Sequence, residues 1–173
     1  EQVEYHVEPL ALQEYLEYKH AAEDNAYLTS SMLMDDCIAR GKAIFDGGIR
    51  HFGGTLESYG NTNAADSLVA IKQLVYEQNV FTLSEMLQMI KSDFKGYEKE
   101  HKLILNCPKY GNNNEIADNM LAEVHNHVCT VTREQAGKVG LDSYLVVVIN
   151  NDANTIMGTF TAASPDGRKA YTH

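Results

Sequence analysis

The sequence predicts a helix-rich α/β fold, and three observations lead there. Apolar residues recur at helical spacing through most of the chain, several of these stretches carry recognisable starts and stops, and the C-terminal third opens on a continuous β-branched run, Ser143-Tyr-Leu-Val-Val-Val-Ile149. A run of that kind is expected of a strand covered on both faces, as in the parallel sheets of α/β proteins. At 173 residues the chain is long enough for one domain with a core of its own.

Composition narrows the function classes. With 14 Lys plus Arg against 24 Asp plus Glu the net charge is −10, so no cationic face is available for a phosphate backbone, and nucleic-acid binding is not expected. Hydrophobic residues at 44% and charged residues at 22% fit a folded globular chain rather than a disordered one. No apolar run approaches the ~20 residues of a membrane span. The opening Glu1-Gln2-Val3-Glu4 has neither the positive start nor the apolar stretch of a signal peptide, and without a methionine it reads as a processed or excised piece. Cys37, Cys107 and Cys129 are widely spaced and form no CxxC, which fits reduced thiols in a cytoplasmic protein.

Taken in order, Pro9 to His20, with Leu10, Leu12, Tyr15 and Leu16, is expected as the first helix. A second should run from about Ser31 to Phe45, with Leu33, Cys37, Ile38, Ile44 and Phe45 near one face and Gly47-Gly48 as its stop. Five glycines between 47 and 60 argue against any regular element there and for a tightly constrained loop. The next helix is expected from Asn63, with Asp66 in its first turn and Leu68, Ile71, Leu74 and Val75 on one stripe. Thr82-Leu-Ser-Glu85 is a capping box, flanked by Phe81 and Met86 at the positions of a hydrophobic staple; that helix should fade near Phe94 ahead of Gly96.

A short helix from Tyr97 to about Leu105 should end before Pro108. The longest periodic segment follows, with Ile116, Met120, Val124 and Val128 four apart and an acidic start at Glu115 and Asp118. After the β-branched run, Thr155 to Ala162 reads as a second extended segment and Ser164-Pro-Asp-Gly167 as a turn. One strand covered on both faces cannot satisfy its own edges, so its neighbours belong to a larger protein or come by association.

Residues with chemical potential are few. His125 and His127 lie two apart on the long helix, where side chains diverge; solvent-facing histidines are the default, and a shared metal would require an extended segment. Cys37 follows Asp35 and Asp36, which raise rather than lower a thiol pKa, so it reads as a small buried apolar residue. Cys107 precedes Pro108 in a loop and has no base at a recognisable spacing. The Gly47–Gly60 stretch lacks a phosphate-loop spacing, and Arg50 alone is a thin cationic supply; close backbone approach is the favoured reason for its glycines. Tyr110, in the polar loop from Lys109 to Asn114, is either a functional phenol or a half-buried aromatic.

Five segments carry a resemblance. Ser31-Met-Leu-Met-Asp-Asp-Cys-Ile-Ala-Arg-Gly41, Gly47-Gly48, Asn63-Ala-Ala-Asp-Ser-Leu-Val-Ala-Ile-Lys72, Pro108-Lys-Tyr-Gly-Asn112 and Ala163-Ser-Pro-Asp-Gly-Arg-Lys-Ala170 occur in that order across about 140 residues. Together they resemble the glycyl radical enzyme family, the relatives of pyruvate formate-lyase that include glycerol, choline and hydroxyproline-type lyases and dehydratases. The resemblance covers nearly everything after Ala26.

It implies a pyruvate formate-lyase-like ten-stranded β/α barrel, of which residues 1–173 would be a single segment of the larger catalytic domain. The family's reactive cysteine loop and radical-bearing glycine loop have no counterpart in these residues, so the resemblance reads the chain as an internal fragment between the two, inactive by itself. The implied chemistry is thiyl-initiated cleavage of a C–C or C–X bond by a lyase, dehydratase or formate acetyltransferase-like enzyme of anaerobic metabolism. A partner activase using S-adenosylmethionine and an iron–sulfur cluster would install the glycyl radical; the chain itself is expected to bind no cofactor or metal.

Tyr110 is the one residue the resemblance places near a substrate pocket, and no residue here is expected to be catalytic. The implied partners are the remainder of the parent enzyme and the activase, with self-association open. Where the family has Gly-Gly-Ala-Arg-Tyr-Asn the chain reads Gly47-Gly-Ile-Arg-His-Phe52, and its Lys-Tyr-Gly-Asn-Asp ends here in Asn113, which leaves the substrate class open. The competing expectation is a standalone binding or assembly module derived from such an enzyme.

Overall fold

A computed structural model describes residues 1–24, 27–149 and 152–172. In chain order the elements are α1 (Gln2–Asp24), α2 (Leu28–Leu33), α3 (Cys37–Arg40), β1 (Gly53–Ser58), α4 (Asn61–Ala70), α5 (Leu83–Lys91), α6 (Glu98–Leu105), α7 (Glu115–Val139), β2 (Ser143–Val148) and α8 (Asp152–Phe160). They fall into two compact units, Glu1–Glu57 with His127–Val147 and Ser58–Asn126 with Val148–His173.

The first unit is built around Ala11, Ala136, Leu141 and Tyr144, with Tyr15, Tyr18, Phe52 and Leu56 packed against them. α1 is longer than the Pro9–His20 expected and carries Pro9 inside it. Its buried stripe also differs. Val7 and Ala11 are buried, whereas Leu10, Leu12 and Leu16 are 42 to 50% exposed. Small Ala11 and Ala136 share the cluster, so close approach of the main chain, rather than leucine volume, selects the buried face.

The single helix expected over Ser31–Phe45 is instead two short helices and a turn at Ile44–Gly48. Extended Met34 ends α2, Asp36 is left-handed at φ 71° just before α3, and Gly41 at φ 64° ends α3. The break is held by tertiary bonds. Arg50 grips Asp36 through Nε–Oδ2 at 2.5 Å and Nη2–Oδ1 at 3.0 Å, and the Ile44 N–H donates to Ser31 Oγ at 3.0 Å. Leu33 and Ile38, expected on the buried face, are exposed; Cys37 is buried as expected.

The loop expected over Gly47–Gly60 contains β1, a second correction. Gly53 and Gly54 weaken a strand by propensity, yet a Cβ on Gly53 would strike the Ser143 backbone and one on Gly54 the Glu14 side chain. Close approach is therefore why glycine stands there, and pairing supplies what propensity does not. The Phe52 carbonyl accepts from the Asp142 and Ser143 N–H groups, and the Ser58 carbonyl accepts from Ile149 N–H. The rungs advance together along both strands, so β1 and β2 form a small parallel sheet, as a crossover of helices between them requires.

β2 was expected to be covered on both faces. Tyr144 is buried, but Leu145, Val147 and Val148 are 63, 38 and 51% exposed, because β1 is its only strand neighbour among the described residues.

The second unit has its core at Ala70, Leu74, Phe81, Met86, Met89, Phe94, Ile104 and Cys107. The capping box forms as expected: Thr82 N–H donates to Glu85 Oε2 at 2.7 Å and Glu85 N–H to Thr82 Oγ1 at 3.2 Å, with Phe81 and Met86 both buried beside it. α4 starts two residues earlier than expected, because Gly60 at φ 74° turns the chain into Asn61. Its coil continues through Ile71–Glu77 with wider, π-type bonds. Leu68 is half-exposed, whereas Leu74 and Val75 are buried.

The segment expected to be extended over Thr155–Ala162 is mostly helical, forming α8. Two hydroxyls donate back to its carbonyls, Thr159 Oγ1 to Ile156 and, from just past its end, Thr161 Oγ1 to Met157, both at 2.7 Å. No residue of α8 is buried.

Candidate functional site

The second unit contains a cleft of about 1130 Å³. It opens where both strands end at their carboxyl sides, the position at which ligands bind in parallel α/β sheets. Tyr59, Val148 and Ile149 line it from the strand ends, and Gly60, Asn61 and Asn63 from the first turn of α4. α7 contributes Asp118, Leu121 and His125; α8 contributes Asn154, Met157 and Gly158. Tyr110 and Arg168 complete the wall.

Three of the five motif segments meet here through hydrogen bonds between them. Asn63 Nδ2 donates to Asp166 Oδ2 at 2.9 Å, joining the start of α4 to the Ser164–Arg168 turn. Tyr110 N–H donates to Asp66 Oδ1 at 2.9 Å, joining the Pro108–Asn112 loop to the same helix. Asp166 is buried and also accepts from Ser164 Oγ at 2.5 Å and Arg168 N–H at 3.2 Å, so the turn closes on one carboxylate. His101 Nε2 lies 2.7 Å from the Gly167 carbonyl, with Phe94 stacked on its ring.

Arg168 uses its guanidinium on main chain. Nη1 donates to the Gly158 and Thr172 carbonyls and Nη2 to those of Thr161 and Ala162. A cation thus serves orphan carbonyls at the C-terminus of α8 and complements its dipole. Arg168 holds a wall of the cleft rather than offering a free cation to it.

Burial pushes the Asp66 carboxyl up, and neighbouring Asp166 adds to the shift, while the Tyr110 N–H and Lys109 oppose it. Asn61 is also buried: Ser58 Oγ donates to its Oδ1 at 2.7 Å, which fixes the amide plane against the cleft floor. α4 begins at this residue without a side-chain cap.

Of the residues the sequence singled out, Tyr110 lies on the cleft and is about half-exposed. His125 lines the cleft, whereas His127 is exposed and belongs to the first unit. Cys37 sits in the first unit's packing against Gly48. Cys107 is buried in the second unit's core, where desolvation pushes its thiol up, away from nucleophilic use. Among the described residues no group of three or more His, Cys, Asp or Glu stands together in a way that could hold a metal ion. No helix among them is long and apolar enough to cross a membrane.

Sequence reading missed Asn63, Asp66, Asp166 and Arg168 as site-building residues. Each lies inside a quoted motif, but no local spacing announces partners 103 and 44 residues away.

The family model described as Pyruvate formate lyase-like matches residues 1–154. The chain belongs to that family. It is 33% identical over 160 residues to the probable dehydratase YbiW of Escherichia coli, covering 87% of this chain and 20% of the relative. It is 34% identical over 145 residues to (2S)-3-sulfopropanediol dehydratase of Klebsiella oxytoca, covering 82% of this chain and 17% of the relative. A solved glycyl radical enzyme from Archaeoglobus fulgidus superposes on 98% of the chain with a TM-score of 0.87 at 27% identity, over 22% of its own length. The chain thus spans about a fifth of the length of the relatives it matches. The match extends through the first 25 residues, which no motif had reached.

Proposed function

We propose that the chain is one segment, residues 1–173, of the ten-stranded catalytic barrel of a glycyl radical dehydratase or lyase, and that its cleft is part of the wall around the substrate. One observation carries the reading: three family-like motifs, far apart in sequence, are hydrogen-bonded to one another around a cleft at the carboxyl ends of parallel strands. Among the family's chemistries, the similarity to two dehydratases favours dehydration over acyl transfer.

In this reading the remainder of the parent enzyme supplies the strands that extend β1 and β2, together with the cysteine and glycine loops. The radical, installed by a partner activase using S-adenosylmethionine and an iron–sulfur cluster, supplies hydrogen abstraction in the assembled enzyme. This chain's share is positioning and exclusion of water. Tyr110 presents a phenol that can donate to a substrate hydroxyl. Leu121, Val148 and Met157 offer apolar wall, and Arg168 keeps α8 in place. Such an enzyme works in an anaerobic cytoplasm.

The test uses the whole protein that contains this chain, treated anaerobically with its activase. The expected outcome is the electron paramagnetic resonance signal of a glycyl radical, with loss of water from a small diol or hydroxy acid in a panel of candidates. No radical signal with a competent activase sinks the reading. A full signal with acyl transfer from pyruvate and no dehydration moves it to the transferase branch.

A further inference from the structure

Asp66 is a buried ionisable group for which the chemistry above has no use. It sits in the second turn of α4, only 7% exposed. Burying a carboxylate is costly unless it is paired, and Asp66 Oδ1 accepts a hydrogen bond from the Tyr110 main chain at 2.9 Å. The loop it holds is otherwise lightly tied. Asn112 Nδ2 reaches the Lys109 carbonyl at 3.4 Å, Lys109 Nζ reaches the Ile104 carbonyl at 3.2 Å, and the chain turns through left-handed Gly111 and Asn113.

We infer that Asp66 is a positioning residue: its carboxylate fixes the main chain of Tyr110 and thereby aims the phenol into the cleft. The inference rests on the reading of Tyr110 as substrate-proximal. It explains why an acid is tolerated in the buried face of α4, between Ala65 and Ser67, where packing alone calls for an apolar side chain. Asn63, one turn earlier, does the same for the Ser164–Arg168 turn. The first two turns of α4 thus hold both loops that wall the cleft.

The experiment compares Asp66→Ala, Asp66→Ser, Asp66→Asn and Tyr110→Phe in the whole activated enzyme, with propane-1,2-diol as the probe substrate. Asparagine keeps an acceptor oxygen at the right reach; serine is one bond too short, and alanine has none. Amide hydrogen exchange over residues 107–113 should quicken about tenfold in the alanine and serine variants, the effect of losing roughly one buried hydrogen bond. It should stay near the parent value in Asp66→Asn, with α4 and α5 unchanged in all. KM for the diol should rise by a similar factor in Asp66→Ala and Tyr110→Phe, with kcat and radical yield little changed and the double variant no worse than either single one.

If Tyr110→Phe leaves KM unchanged, the placement of Tyr110 fails, and exchange alone then judges the clamp, as it does if the diol is not a substrate. If Tyr110→Phe raises KM and Asp66→Ala does not, or their effects simply add, the inference is overturned. Faster exchange throughout α4, or failure of both the alanine and serine variants to fold, assigns Asp66 a structural role and overturns it as well.

Discussion

Tyr18 shows how much one side chain's surroundings change its chemistry. Its ring stacks on Phe45 at 4.7 Å and meets Phe52 edge-on at 5.3 Å. Burial, then a hydrogen bond to Glu14 and the charges around it, push the phenol up from 10.0 to about 12. The folded state therefore holds this proton more tightly than an unfolded chain does. The resulting stabilisation is complete below pH 10 and is lost as pH rises through about 12. Burial also pushes the Tyr144 phenol up, so an alkaline titration followed by phenolate absorbance should show late-ionising tyrosine of which Tyr18→Phe removes the part titrating at about 12; an unchanged titration in that variant contradicts the assignment. Gly48 makes a steric case of the same kind. A Cβ there would lie 2.5 and 2.6 Å from the Lys42 and Ala43 carbonyl oxygens and 2.6 Å from Cys37 Sγ, and main chain cannot swing aside as a side-chain tip can. Gly48→Ala should cost about 1–3 kcal/mol, measured by denaturant unfolding of the parent enzyme. Close approach, expected of the glycines between 47 and 60, holds at Gly48, Gly53 and Gly54, whereas Gly47 and Gly60 serve a left-handed backbone.

Among the elements, α5 was the most legible, because its capping box lies within four consecutive residues, Thr82–Glu85. Thr82→Ala should cost about 1 kcal/mol. The bond from the Thr82 main chain, then that from its side chain, hold the Glu85 carboxyl below its ordinary range. That contribution is therefore present above the ordinary glutamate pKa and is lost as pH falls through the lowered one. Hydrogen exchange at the first amides of α5, corrected for intrinsic rate, should show the loss on acidification and show none in Glu85→Gln. α8 is the opposite case. Its β-branched composition reads as extended, and the helix is held partly from outside, by Arg168 on the carbonyls of Gly158, Thr161 and Ala162. Arg168→Lys should loosen α8 nearly as much as Arg168→Ala, since one ammonium cannot span carbonyls that a planar fork reaches together. Equal protection of α8 in parent and lysine variant counts against that role.

At the scale of the whole molecule the apolar surface left over is informative. Leu145 and Val148 on β2 and Ile156, Met157 and Phe160 on α8 are all more than half exposed, and each strand has one unpaired edge among the described residues. Hydrophobic strand edges are templates for association. On the reading proposed above, the rest of a parent enzyme would cover them. Produced alone, the 173 residues should bind an apolar dye and self-associate, and Leu145→Lys with Val147→Lys should reduce both. A dye-silent, cooperative monomer favours the standalone-module reading instead.

By itself the sequence determined the local features: the helix-rich α/β class, the capped start of α5, the long periodic α7, the burial of Cys37, and, through five ordered motifs, the family. Each depends on residues a few positions apart or on a pattern legible in one dimension. Only tertiary structure decided that Ser31–Phe45 breaks at Asp36, that two glycines enter a strand, and that Asn63 and Asp66 reach Asp166 and Tyr110. Those outcomes turn on close approach and on hydrogen bonds between distant segments, whose energies exceed the small propensities that a sequence displays.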